Sequence, residues 1–254
     1  MNYKISKYFT TSNKRKIKYL LVNNKSQITV VFFHGFMSDM MGAKPIAIQK
    51  FCKKYKFNFL KFEYSGHGKS MGKFTEGNIS KWTDEAKQLI KSKIKRKKLI
   101  FIGSSMGSWV ALNLFKYFKT HIRGFIGIAS APEFLEELMW KKFNKKIRNI
   151  IMVKKIYNLD YGGFIYPISK QLIFDGRKNK ILKNNVNLNI PIILFHGTKD
   201  DVVPLKFSKK IFKMCNKAKR ELIKIKNGDH SLSRKSDLKK ICNKLYYLTK
   251  QIIN

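Results

Sequence analysis

Residues 103–107 read Gly-Ser-Ser-Met-Gly, with Ser105 centred between two glycines. The preceding run, Leu99–Ile102, is apolar and strand-sized, and a helical pattern begins at about Met106. A serine on so abrupt a strand-to-helix turn has a strained backbone and needs small residues two positions before and after it. Gly103 and Gly107 supply that space. The turn also puts Ser105 at the amino end of a helix, where developing negative charge is favoured. The chemistry this suits is nucleophilic attack and acyl transfer. Ser104 lies off the centre of the glycine frame and reads as a packed polar residue.

A serine hydroxyl needs a base, and the base needs an acid to orient it. His230, in Gly228-Asp229-His230, follows the last strand-like run, which puts it on a loop at a strand's carboxyl end. Ligands meet an open α/β sheet at that edge, so His230 is the expected base. The acid is sought in His196-Gly197-Thr198-Lys199-Asp200-Asp201, which directly follows the strand-like Ile190–Phe195. Asp200 is favoured, Asp201 is next, and Glu133 is a distant third. Two backbone N–H groups are expected to face the oxyanion, that of Met106 and that of Phe36. Gly35 allows the bend before Phe36, and His34 is expected to shape that loop through its side chain.

Other candidates fall away. Tyr64-Ser65-Gly66-His67-Gly68-Lys69-Ser70 lacks the spacing of a phosphate-binding loop and reads as a turn. His121 has no partner nearby in sequence and reads as structural. The histidines and acids show no metal-ligand pattern, so no metal is expected. Cys52, Cys215 and Cys242 form no paired motif and read as reduced, packed thiols.

Positioning these groups requires a sheet. Apolar runs at Ile28–Phe33, Asn58–Phe62, Lys98–Ile102, Gly124–Ala129, Ile190–Phe195 and Glu221–Ile225 alternate with helix-period segments. These segments are Ala43–Tyr55, Ser80–Lys95, about Met106–Phe118, Leu205–Asn216 and Leu232–Ile253. The alternation predicts an α/β fold with a mostly parallel central sheet and helices on both faces. A hairpin is expected around Thr11-Ser12-Asn13. Pro132 to about Asn189 breaks the alternation and reads as helices and loops of a small lid-type insert. The expectation is one domain over 1–254.

At 254 residues and 44% hydrophobic content the chain can bury a large core. Its formal net charge is +39, from 54 Lys and Arg against 15 Asp and Glu. That excess suggests a polyanion partner, yet Lys is spread along the whole chain and greatly outnumbers Arg. A solvated lysine-rich surface is the preferred reading, with weak nonspecific polyanion binding as a side effect and no specific nucleic-acid partner. No apolar run reaches membrane-spanning length, and the first twenty residues lack the pattern of a secretory signal. The cytoplasm is the expected compartment, and oligomeric state is open.

With Ser105, Asp200 and His230 in that chain order, the sequence resembles the α/β-hydrolase superfamily over nearly its whole length. It is most similar to the acyl-protein thioesterase and acyl-glucuronide esterase branch, which has mitochondrial and bacterial members. The similarity is carried by Val31–Gly35, Lys44–Lys53, Phe62–Gly66, Gly103–Trp109 and His196–Pro204. It implies a serine hydrolase that cleaves carboxylic esters or thioesters, of small molecules or acylated proteins, with no metal and no organic cofactor. In such enzymes the insert shapes the acyl pocket. The sequence departs from the mitochondrial member, which has a transit peptide, because here the fold is expected to begin almost at Met1. Peptide, lactone or carbon–carbon cleavage on the same scaffold is one alternative. A non-catalytic basic binding protein is another.

Overall fold

The structure is a computed structural model and describes residues 6–95, 97–183 and 189–253. Strand β1 (Lys7–Thr10) pairs antiparallel with β2 (Lys16–Val22). There follow β3 (Ile28–Phe33), helix α1 (Ala43–Lys54), β4 (Asn58–Phe62), α2 (Ile79–Lys93), β5 (Lys98–Ser104), α3 (Met106–Leu114) and β6 (Ile122–Ile128). After an excursion that holds α4 (Lys145–Lys154), β7 (Ile156–Tyr161), β8 (Phe164–Ser169) and α5 (Lys170–Lys178) come β9 (Ile192–Gly197), α6 (Lys206–Met214), β10 (Arg220–Ile225) and α7 (Lys235–Ile253). The sheet order is β1-β2-β4-β3-β5-β6-β9-β10. From β4 to β10 every neighbouring pair is parallel, whereas β1, β2 and β4 pair antiparallel.

Burial explains the strand sequences. Every residue of β3, β4 and β9 is buried, because helices cover both faces, and the strands accordingly read as mostly apolar runs, with Thr29, Asn58, Lys61 and His196 the buried polar members. Ile48, Phe51 and Cys52 of α1 join Ile241, Leu245 and Leu248 of α7 on one face. Trp82 of α2, Trp109 of α3 and Phe207 of α6 pack on the other. Strand order reverses at β3, which lies between β4 and β5, and the carboxyl end of β5 therefore opens onto a crevice.

The excursion corrects the sequence reading. It begins with a π-helical turn (Leu135–Met139) and a 3-10 turn (Trp140–Lys142), then α4 (Lys145–Lys154), and ends in α5 (Lys170–Lys178). Between these helices an antiparallel hairpin replaces the expected loops, β7 (Ile156–Tyr161) with β8 (Phe164–Ser169). Gly162 and Gly163, at φ +61° and +77°, form its two-residue turn. Both positions need a left-handed backbone, which only glycine adopts without cost. Apolar side chains on both faces hid the alternation of these strands. Residues 184–188 of the expected insert lie outside the described residues.

Two smaller differences have local causes. Helix α7 starts at Lys235 rather than Leu232, since Leu232 is left-handed (φ +47°) and gives its N–H to Asp229 Oδ1. Helix α3 gives way at Phe115–Tyr117 to a 3-10 turn. All three cysteines are free thiols, with Cys52 and Cys215 buried. Among the described residues no helix is long and apolar enough to cross a membrane.

Candidate active site

Ser105 sits between β5 and α3 at φ +51°, ψ −120°. That strained backbone is held from both sides. A Cβ on Gly107 would lie 2.1 Å from the Phe33 carbonyl oxygen, and one on Gly103 would lie 2.4 Å from Ser108 Cα. The glycines thus let α3 start directly against the end of β3. Ser105 N–H donates to Ile128 O at 2.9 Å, fixing the turn to β6.

The three residues that sequence reasoning selected meet here. His230 Nε2 lies 3.1 Å from Ser105 Oγ, and His230 Nδ1 lies 2.9 Å from Asp200 Oδ2. The Asp200 side chain is 1% exposed and that of His230 25%. The acid is sealed while the imidazole reaches the crevice. Burial pushes the Asp200 carboxyl up. Its hydrogen bond to His230, its attraction to that ring and the Val203 N–H outweigh this, and the net pKa is lowered. A carboxylate accepting the Nδ1 proton leaves the Nε2 lone pair facing the serine.

The other acid candidates sit elsewhere. Asp201 is exposed to solvent. Glu133 is buried, and its Oε1 accepts the N–H groups of Ile181 and Leu182 at 2.8 Å each. It ties the far end of the excursion to the carboxyl edge of β6. Ser104 is buried within the turn.

The loop after β3 lies against the elbow. A Cβ on Gly35 would be 3.4 Å from Ser105 Cβ, which brings Phe36 beside the serine. His34 Nδ1–H donates to Gly35 O at 2.8 Å, and His34 Nε2 accepts from Tyr64 N–H at 3.4 Å. Both contacts suit a neutral ring, and burial lowers the His34 pKa to about 4. His67 packs beside it, with ring centroids 5.0 Å apart. The Phe36 ring in turn meets Phe74, Phe134 and Tyr166 at 4.9, 5.2 and 6.1 Å, forming an aromatic wall beside the serine. His121 hydrogen-bonds the neighbouring Thr120 hydroxyl, away from this group.

Several supporting residues escaped sequence reasoning. His196, on β9, is buried with Nε2 2.9 Å from Val203 O and 3.5 Å from Asp200 Oδ2. Its Nδ1 lies 2.9 Å from Ser208 Oγ. Since Val203 O can only accept, the proton belongs on Nε2, and the ring braces the acid loop. Lys44 on α1 reaches across to donate to Ser231 O and Ser233 Oγ in the His230 loop. Burial lowers its pKa to about 8, against the raising pull of Asp229. Arg234 closes the same loop, bonding Asp237 and the carbonyls of Lys226 and Asn227. Gly197 lets the acid and base loops touch, for its Cβ would fall 2.2 Å from Gly228 O. The Lys44 and Gly197 contacts join segments far apart in the chain, whereas His196 and Arg234 bond within a few residues of themselves, in loops whose path no regular period encodes.

A mostly parallel sheet with helices on both faces, and a serine, acid and histidine meeting at its carboxyl edge in that chain order, defines the α/β-hydrolase fold. Comparison with known proteins places the chain within it. The family model Hydrolase_4, described as serine aminopeptidase, S33, matches residues 24–161, and the chain belongs to that family. The human protein named palmitoyl-protein thioesterase ABHD10, mitochondrial, is 28% identical over 217 residues, covering 82% of this chain and 69% of its own. A solved structure from Agrobacterium vitis S4 superposes with a TM-score of 0.89 at 26% identity, over 96% of this chain and 98% of that one. Mouse alpha/beta hydrolase domain-containing protein 10 shares the fold with a TM-score of 0.86 at 23% identity, over 98% and 99% of the two chains.

Proposed function

We propose that this protein is a serine hydrolase that cleaves carboxylic esters or thioesters through an acyl-enzyme on Ser105. The observation that carries this is the continuous relay from Ser105 Oγ to His230 to Asp200, at 3.1 and 2.9 Å, on a left-handed turn. His230 Nε2 takes the hydroxyl proton as Oγ attacks the carbonyl carbon, and Asp200 stabilises the resulting imidazolium. The N–H groups of Phe36 and Met106 hold the oxyanion, each donor contributing about 3–4 kcal/mol to the transition state. His230 then returns the proton to the departing alcohol or thiol. Water, deprotonated by the same imidazole, attacks the acyl-enzyme and releases the acid.

The aromatic wall around Phe36 supports an apolar acyl group, and the similarity to a human protein named as a palmitoyl-protein thioesterase supports a thioester. The family's description supports a second reading, cleavage of amino-terminal peptide bonds. We take residues 1–254 as one domain with 132–189 as its lid. The compartment we assign is the cytoplasm, the three free thiols supporting a reducing environment. The mitochondrial location in the relative's name is the rival that cell fractionation would detect.

Ser105→Ala is expected to abolish p-nitrophenyl ester turnover and fluorophosphonate labelling while leaving the melting temperature within a few degrees. Full activity in that variant refutes the assignment. Across a panel of acyl esters, acyl thioesters and aminoacyl amides, preference for the amides would favour the peptidase reading.

A further inference from the structure

The β7–β8 hairpin carries apolar side chains that nothing among the described residues covers. Antiparallel register puts Leu159, Tyr166, Tyr161 and Phe164 on one face, and Asp160, Ile165, Asn158 and Pro167 on the other. The first face begins inside the protein, with Leu159 and Tyr166 packed on the core and Tyr166 stacked on Phe36. It then runs out beyond the body, where Phe164 is 69% and Tyr161 50% exposed. On the opposite face Ile165 is 52% exposed. A wall for a bound acyl chain needs one apolar face, but this tip has two. Beside the hairpin base, at the end of α4, Val153 is 69% exposed and Met152 is exposed as well. Space around the turn is open, for a Cβ on Gly162 or Gly163 would meet nothing within 4 Å.

Basic residues gather at the base of this apolar tip. From Lys145 to Lys155 there are five, Lys145, Lys146, Arg148, Lys154 and Lys155, and no acid. Asp160 is the sole acid between Lys145 and Phe174. At the hairpin base a cleft of about 480 Å³ is lined by Thr75, Lys155, Ile156, Ser169, Lys170, Gln171 and Phe174, so two lysines stand at the rim of one mostly apolar recess.

We propose that the hairpin tip is a membrane-docking element that seats the protein on an anionic lipid surface. Tyr161, Phe164 and Ile165 enter the acyl–headgroup boundary, and Lys154, Lys155 and Lys170 face the lipid phosphates. The dimensions agree. A six-residue strand spans about 20 Å, and interfacial side chains bury to about 5–10 Å. The lysines at the base then lie roughly one Debye length from the boundary, where anionic lipid still attracts them. Aromatic rings at the interface with lysines above them match the preferences of both residue types. This role rests on the exposed surface alone and stands whether or not Ser105 is a nucleophile.

Because a net charge of +39 will draw the protein weakly to any anionic surface, the test must alter the apolar tip and leave the charge. Full-length protein is floated with vesicles of phosphatidylcholine, alone or with phosphatidylglycerol. Wild type is expected to bind the anionic vesicles and leave the neutral ones. The double variant Phe164→Ser, Ile165→Ser is expected to bind more than tenfold more weakly, with its melting temperature unchanged. Asp160→Asn is expected to bind about fivefold more tightly, as removing one negative charge near the surface predicts. Equal binding by the double variant overturns the proposal, as does wild type failing to bind or favouring neither vesicle. So does a loss of self-association by the double variant without lipid, because a second copy would then be what covers the tip.

Discussion

His34 and His67 should make the protein unusually sensitive to mild acid. Their rings lie 5.0 Å apart beneath the loop that carries Phe36, and 1% and 3% of their surfaces are exposed. Burial lowers the His34 pKa to about 4, opposed by its bond to Gly35 O. Burial, and then His34 itself, lowers that of His67 to about 3. In the unfolded chain each ring titrates at about 6.5. Between pH 7 and pH 5 the unfolded state therefore takes up protons that the folded state refuses, and stability falls with pH across that window. At about 1.4 kcal/mol per pH unit below 6.5 the loss at pH 5 is about 2 kcal/mol per histidine, or about 4 for the pair. Glu85, whose carboxyl burial pushes up, acts in the opposite sense. A variant isolates the effect. His67 Nε2 is buried without a partner, and the ring is surrounded by Tyr64, Phe74 and Trp82 at 5.6, 5.1 and 5.0 Å. His67→Phe should therefore fold, and about 2 kcal/mol of the pH 7 to pH 5 loss should vanish. Urea unfolding at the two pH values, followed by tryptophan fluorescence, measures this directly, with Trp82 beside the site as a reporter. If His67→Phe loses as much stability as wild type over that interval, the burial argument is wrong.

Three further outcomes follow from the same geometry. Asp200→Asn keeps an acceptor for the Val202 and Val203 N–H groups but cannot hold the Nδ1 proton of His230. Ester turnover should fall roughly 10³–10⁴-fold with little change in melting temperature. Gly107→Ala forces a methyl group against the Phe33 carbonyl. It should cost about 3 kcal/mol or more, seen as a drop in melting temperature on the order of 10 °C. Lys44→Met removes the charged donor to Ser231 O and Ser233 Oγ. That should lower kcat about tenfold as the His230 loop loses this tie, with KM for a short ester unchanged.

Much of this site was legible in the chain because each part has a local signature. Ser105 announces itself by Gly103 and Gly107, since only small residues permit its turn, and by the strand and helix on either side. His230 and Asp200 announce themselves by following strands, for residues there gather at one edge of a parallel sheet. The strands could be read because burial on both faces demands unbroken apolar runs, and the triad's chain order follows from reading them in sequence. What tertiary structure decided are choices among neighbours and contacts between distant segments. Asp200 and Asp201 are equivalent as a dipeptide, and only the loop's path aims Oδ2 of the first at His230 while leaving the second in solvent. The reach of Lys44 to the His230 loop joins segments far apart in the chain, and the bonds of His196 and Arg234, though near in sequence, depend on how their loops turn. The β7–β8 hairpin stayed hidden for the opposite reason. Its sequence carries apolar residues on both faces, and whether a face is covered or bare depends on where the rest of the chain ends, which local pattern does not encode.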